Sequence, residues 1–231
     1  MAPELETLTY AIGDVHGCFQ KLVRLLNLCR EHCGARPMRL VFIGDYIDRG
    51  SDSREVVDLL IEMQRRMPEN VICLRGNHEA MALMAAEEGG NTEDWWLANG
   101  GLTTLASYRV AEAAELPSPH LQWFRALALC HDDGRRYFVH AGVKPGVPLG
   151  EQSEHDRVWI REPFLSCGDP YDRFIVHGHT PLVTASPDLR HNRVNLDTGA
   201  VFGGPLTAAA FDDARTGPIA FLTDAGRVTA L

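Results

Sequence analysis

Three short polar clusters carry side chains able to bind metal and move protons: GDVHG at 13–17, GDYIDRG at 44–50 and GNHE at 76–79. Two later histidines, His140 in YFVHAG and His179 in FIVHGHT, end apolar runs in the same way. Carboxylate, imidazole and amide oxygen suit manganese, iron or zinc better than soft metals. Asp14, His16, Asp45, Asn77, His140 and His179 are therefore candidate ligands for two divalent cations roughly 3.5–4 Å apart, with manganese the expected metal. Asp45 has two oxygens and could bridge both ions. Asn77 offers a neutral oxygen where another carboxylate would over-neutralise the site. Two such cations bring more charge than Asp14 and Asp45 remove, so they lower the pKa of bound water to about 7. The surplus also draws a phosphate dianion to a chain whose net charge is −9.

The remaining polar residues of these clusters then have roles. Arg49 has the planar fork to clamp phosphate oxygens, and Asn77 is a further phosphate contact. His78 is the natural general acid for the departing oxygen, with Asp48 orienting it and raising its pKa. Loss of one such group is expected to cost about 2.7–4 kcal/mol of barrier.

The elements between the clusters must bring them together. Strands are expected at 8–13, 39–44 and 70–75, with helices over 18–32 and 53–66 and a third opening near Glu79. Ser51 and Ser53 are available to cap the second helix. Asp14 and Asp45 are 31 positions apart, and Asp45 and Asn77 are 32. Each interval fits one βαβ unit of about 30 residues. Parallel strands about 4.8 Å apart end on one sheet edge, where ligands bind in open α/β sheets. Residues 80–128 read as a mainly helical insertion broken by WWLANGG, and a hairpin follows across Asp133-Gly134. Short strands near 173–176, 192–196, 206–211 and 218–223 read as a second sheet. The expected architecture is a single α/β domain over 1–231, two mixed sheets with helices outside.

Composition narrows the partners. The acidic balance argues against nucleic acid and anionic lipid. MAPELETLTY has no basic n-region or apolar h-region, and no run reaches 18 uncharged apolar residues. A cytoplasmic enzyme with six reduced, scattered cysteines is expected. Cys29, His32 and Cys33 lack a fourth ligand for a structural zinc. HCGARPMR at 32–39 matches the HCx5R spacing of cysteine-dependent phosphatases. Its helix-then-strand order is the reverse of what a phosphate cradle needs, so the match is read as chance. His177 is expected beside the metal ligands rather than among them. Trp95 and Trp96 are read as packing residues, with substrate contact the alternative.

These motifs, in order, closely resemble the phosphoprotein phosphatase family of metallophosphoesterases, across residues 8 to about 211. The resemblance implies a dinuclear centre in a β-sandwich flanked by helices, hydrolysing phosphomonoesters by direct attack of metal-bound hydroxide. By motif, Asp14, His16 and Asp45 would hold one ion, and Asp45, Asn77, His140 and His179 the other. Arg161, in VWIREPF, would grip phosphate with Arg49. NLDTGAVFGG stands where eukaryotic members carry a SAPNYC-like segment, so the chain looks like the bacterial and phage branch. No eukaryotic-type regulatory subunit is expected. Related diadenosine tetraphosphate hydrolases generally lack the second acid of GDxxDRG. Asp48 therefore leans the expectation toward phosphorylated protein, on Ser, Thr or Tyr, with a small phosphoester or diadenosine polyphosphate as the alternative.

Overall fold

The computed structural model describes residues 6–226 and 228–231; the first five residues of the N-terminal stretch judged above lie outside them. Alternating side chains set the layers. In β1 (Leu8–Ile12), Leu8, Tyr10 and Ile12 face one way and Ala11 the other. In β2 (Met38–Phe42), Leu40 and Phe42 share the first face and Val41 takes the second. The first face forms one apolar cluster with Leu22, Leu25 and Cys29 of α1 (Phe19–Cys33) and Val56, Val57 and Leu60 of α2 (Ser53–Arg66). The second face is the interior of a sandwich. Ala11, Val41 and Ile43 there meet Phe138, Val176 and Val194 of the other sheet.

The first sheet runs β11 (Val228–Ala230), β10 (Ala220–Thr223), β9 (Thr207–Phe211), β1, β2 and β3 (Val71–Cys73). Its β1, β2 and β3 are parallel, and β9 lies antiparallel to β1. The second runs β4 (Cys130–Asp132), β5 (Arg136–Val139), β6 (Phe174–His177), β8 (Arg193–Asn195) and β7 (Asp188–Leu189), with β5, β6 and β8 parallel. Two mixed sheets flanked by helices are thus present, with one correction. The strands at 206–211 and 218–223 belong to the first sheet. In β9, Ala208 and Ala210 pack toward the helices while Ala209 and Phe211 pack between the sheets. A strand apolar on both faces fits the interior of a covered sheet.

Between β3 and β4 lie α3 (Asn77–Glu88), α4 (Gly90–Trp96), α5 (Leu102–Tyr108) and α6 (Ser118–Ala126). The WWLANGG turn is a wide helical loop at Leu97–Gly101, where Gly100 has φ of 115°. The serine cap of α2 does not form. Asp52 precedes the helix without a side-chain cap, and Ser53 Oγ accepts the Asp48 amide instead (3.2 Å). Cys33 ends α1 with its thiol directed at the Arg36 and Pro37 carbonyls, an electron-rich place for any thiolate. All six cysteines are free, and no helix among the described residues is long and apolar enough to cross a membrane.

Candidate active site

The loops after β1, β2 and β3 open on one edge, and β5 and β6 reach the same place from the second sheet. His140 Nδ1 donates across the sandwich to Ile43 O (2.9 Å), and Gly178 N donates to His140 O (2.8 Å). Space there is minimal: a methyl group on Gly178 would overlap the Asp14 carboxylate. His16, Asp45, Asp48, Arg49 and His179 all adopt φ between 44° and 72°. Left-handed backbone is costly for such residues and gathers where surrounding structure imposes a functional geometry.

Hydrogen-bond bookkeeping reveals what the cluster is built for. His16 Nδ1 donates to Ile47 O (2.8 Å), so its Nε2 lone pair points inward, 3.5 Å from Asp45 Oδ2. His140 Nδ1 is committed to Ile43 O, so its Nε2 lone pair faces Asn77 Oδ1 (2.9 Å) and Asp45 Oδ1 (3.4 Å). The two oxygens of Asp45 thus each face a different imidazole lone pair. His179 Nδ1 lies 2.8 Å from Asn77 Oδ1, and its buried Nε2 has no partner. Acceptors converging without hydrogens between them repel unless a cation sits among them. The residues fit divalent metal. Two groups of metal-type donors share Asp45: His16 with His78, and His140 with His179. A cation already lies on one of them, since Arg49 Nη1 donates to His16 Nε2 (2.6 Å).

Electrostatics agree. Burial lowers the pKa of His16 to about 3 and depresses His140 and His179, keeping these rings neutral as ligands must be. Burial alone would raise Asp45, but the imidazoles of His140, His78, His16 and His179 hold it low. Asp14 behaves oppositely: burial, then repulsion from Asp197 and Asp45, push it well above the carboxylate range. Its carboxylate takes the His179 amide (3.1 Å) and stands beside the His16–Asp45 group, where His78 is the third member.

His78 belongs to the first donor group and is also paired with Asp48. His78 Nδ1 meets Asp48 Oδ2 at 2.6 Å, both groups buried. Trp96 Nε1 donates to the same oxygen (2.9 Å), and Thr104 Oγ1 donates to Asp48 Oδ1 (2.6 Å). Burial disfavours charge on His78, but Asp45 and Asp48 outweigh it and raise the pKa.

Sequence reasoning missed four residues of this site. Trp96 and Thr104 hold Asp48 from the helical insertion, and only tertiary placement reveals them. Glu79 accepts the amides of Asp45 (3.0 Å), Tyr46 (2.7 Å) and Gly76 (2.9 Å), tying the loops after β2 and β3 together. Burial and Asp45 raise its pKa to about 7. Asp197 is buried, with its pKa raised to about 6 by burial and Asp45. Glu79 ended a quoted motif, and the acid in VNLDTGA at 194–200 was the available sign of Asp197.

Other polar residues lie outside the two donor groups. Arg161 is exposed, and its charge depresses both His140 and His179. Arg75 pairs with Glu154 (2.9 Å). His177 is buried edge-on to Phe164 (4.8 Å), outside both donor groups. Cys29, His32 and Cys33 form no metal-type group among the described residues; His32 Nδ1 instead meets Tyr10 Oη (2.8 Å).

Fold and donor set together define a metallophosphoesterase-type hydrolase. The pattern of the calcineurin-like phosphoesterases matches residues 8–206, and the chain belongs to that family. Serine/threonine-protein phosphatase 1 of Salmonella typhimurium is 34% identical, over 87% of this chain and 90% of its own length. The asymmetrical bis(5'-nucleosyl)-tetraphosphatase PrpE of Anoxybacillus flavithermus is 29% identical, over 89% and 91%. Among solved structures, a cold-active protein-tyrosine phosphatase of Shewanella superposes with a TM-score of 0.70 at 17% identity, covering 100% of this chain and 83% of its own, a likeness of fold.

Proposed function

We propose that this chain removes phosphate from phosphorylated side chains of proteins, with phosphoserine and phosphothreonine the foremost substrates and phosphotyrosine within reach. The observation that carries the reading is the buried Asp48–His78 pair, held by Trp96 and Thr104. A serine or threonine alkoxide is a poor leaving group and needs a proton as it departs. A nucleotide leaving from a phosphoanhydride is already a stable anion and gains little from one. A dedicated, oriented acid therefore favours the monoester.

In this reading, Asp14, His16 and Asp45 would hold one divalent ion, and Asp45, Asn77, His140 and His179 would hold the other; manganese is the proposed metal. Bound there, the pair supplies Lewis acidity, acidified water and positive charge for phosphate. Arg49 leaves His16 Nε2 to grip phosphate oxygens, and Arg161 meets them from the His140–His179 side. His78 keeps its Nδ1 proton on Asp48 and delivers the Nε2 proton to the departing oxygen. No nucleic acid, membrane or regulatory subunit is invoked, and the free thiols suit a cytoplasmic location. A second reading, hydrolysis of a dinucleoside polyphosphate at the same site, draws on the PrpE relatives.

Phosphate release with manganese, measured on phosphoseryl, phosphothreonyl and phosphotyrosyl peptides and on diadenosine tetraphosphate, tests the proposal. The peptides should give the larger kcat/KM, and His78→Asn should slow a phosphoseryl peptide far more than p-nitrophenyl phosphate. Preference for diadenosine tetraphosphate, with His78 dispensable, would overturn it.

A further inference from the structure

An exposed aromatic ring whose other face is already stacked offers a rigid apolar surface that a ligand ring can cover. Trp95 is 43% exposed. It stacks on Trp159 with ring centroids 5.6 Å apart and planes 28° from parallel. Trp159 in turn meets His179 edge-on at 6.1 Å. Two indoles therefore lead from a candidate metal ligand to the protein surface. One face of Trp95 is spent on Trp159, and the exposed remainder is the part a ligand could cover.

The platform is held in place by the catalytic groups themselves. Trp96, next along α4, donates to Asp48, while Asn99 Nδ2 donates to Trp95 O (2.8 Å). The loop after α4 receives the Arg49 amide at Gly100 O (3.1 Å). On the other side, Trp159 ends α7 (Glu154–Trp159), two residues before Arg161. One helix thus supplies Trp96 for Asp48 and Trp95 for the mouth, and the other supplies the backing ring just before Arg161.

Charge decides what kind of ring belongs there. Glu93, Asp94, Glu154 and Asp156 lie on the two helices that carry the platform, against Arg157 as their one arginine, and Glu154 already holds Arg75. Lys144 and Arg161 line the hollow beside Trp159; the balance on the helices is acidic. A polyphosphate tail crossing this surface would meet carboxylates, whereas an uncharged ring on a peptide would not. Adjacent Cα atoms are about 3.8 Å apart, so a side chain one or two residues from the reacting one spans the distance from His179 to Trp95.

We propose that Trp95, backed by Trp159, is a specificity-determining platform that stacks an aromatic side chain one or two positions from the phosphorylated residue of a peptide substrate. This rests on the phosphoprotein reading above and names which phosphopeptides it selects. An aromatic pair of this kind is worth about 3- to 10-fold in affinity.

The test compares two phosphoseryl peptides, identical except for Phe or Ala at the flanking positions, and diadenosine tetraphosphate. Each is assayed with manganese on the wild-type chain, Trp95→Ala and Trp95→Phe. The Phe-flanked peptide should win by about 3- to 10-fold in kcat/KM, chiefly through KM. Trp95→Ala should bring the ratio near one, and Trp95→Phe should keep most of it. A wild-type ratio near one, or a ratio that survives Trp95→Ala, overturns this inference and leaves the phosphoprotein reading standing. Turnover of diadenosine tetraphosphate with neither peptide hydrolysed overturns both.

Discussion

The two ends of β5 treat buried charge in opposite ways. At its start, Arg136 is buried, yet its Nε donates to Asp133 Oδ2 (2.7 Å), its Nη1 to Asp212 O (2.9 Å), and its guanidinium lies 5.1 Å from the Phe211 ring centroid. Four residues later the chain reaches His140, whose inward lone pair faces two oxygens. Burial works against the Asp133 charge, but the Arg136 and Arg135 amides and the Arg136 guanidinium outweigh it and hold its pKa below the carboxylate range. At the catalytic end, Asp14, Asp197 and Glu79 are all pushed upward. One end has its charges paired; the other assembles acceptors, with Arg49 facing His16 Nε2 as the cation already among them. Stability and chemistry are thus separated along a strand of four residues.

This contrast breaks most sharply at Asp45. Asp45→Asn keeps an acceptor for the His78 amide but removes the charge shared by both donor groups. Phosphatase activity should fall at least 100-fold, roughly the 2.7 kcal/mol lost with one preorganised electrostatic contact. Thermal stability in chelator should also fall modestly at neutral pH, because the depressed pKa of Asp45 means the fold favours its ionised form. Cys33→Ser should retain activity, since its thiol points at carbonyls away from the site. Loss with Cys33→Ser and retention with Asp45→Asn would invert the reading.

Manganese should raise the melting temperature of the wild-type chain, with a stabilisation of about 2.7 kcal/mol at a hundredfold excess over Kd. Asp45→Asn should show little of this shift. The two ends also predict opposite pH slopes. Glu79 and Asp197 bind more protons folded than unfolded, so in chelator they remove stability as pH rises from the ordinary carboxylate range through about 6 and about 7. Denaturant melts in chelator against melts in manganese, from acid to neutral pH, read the difference. Metal should help most at the neutral end, where fewer protons must be displaced.

How much of this was legible in the sequence follows from range. The regular spacing of Asp14, Asp45 and Asn77 encodes a parallel sheet, because each crossover helix needs a fixed length of chain. Strand-end histidines then had only one edge to occupy. The placement of β9 and β10 was not legible, since alternation says which faces are apolar but not which strand is the neighbour. Trp95 and Trp96 show the same limit. Adjacent in sequence, they point roughly 100° apart around a helix, and only the position of α4 sends one to Asp48 and the other to the mouth. Glu79 is the opposite case: its motif was visible, but its three amide partners come from the folding of two loops against each other.

The paired end should respond in stability alone. Asp133→Asn removes the carboxylate that takes the Arg136 guanidinium and two amides, and should cost about 2 kcal/mol at neutral pH with kcat unchanged. Because the folded-state pKa of Asp133 is depressed, its stabilisation is present above the unfolded carboxylate pKa and lost as pH falls through the folded value. The gap between wild type and variant in urea melts should therefore narrow in acid. A gap that widens in acid would place the benefit elsewhere than in the ionised carboxylate.

The smallest effect tests whether the helical insertion takes part in the chemistry or only covers it. Trp96→Phe keeps most of the buried ring but removes the N–H that Asp48 Oδ2 accepts at 2.9 Å. Asp48 then has His78 and Thr104 as side-chain donors and is less firmly aimed. A hydrogen bond to a charged group is worth about 1.5 kcal/mol at the low end, so kcat on a phosphoseryl peptide should fall about tenfold. On p-nitrophenyl phosphate, whose leaving group needs no proton, the loss should be much smaller. Equal losses on both substrates would mean that Trp96 only packs, and that the proton donor is aimed by Asp48 without help from α4.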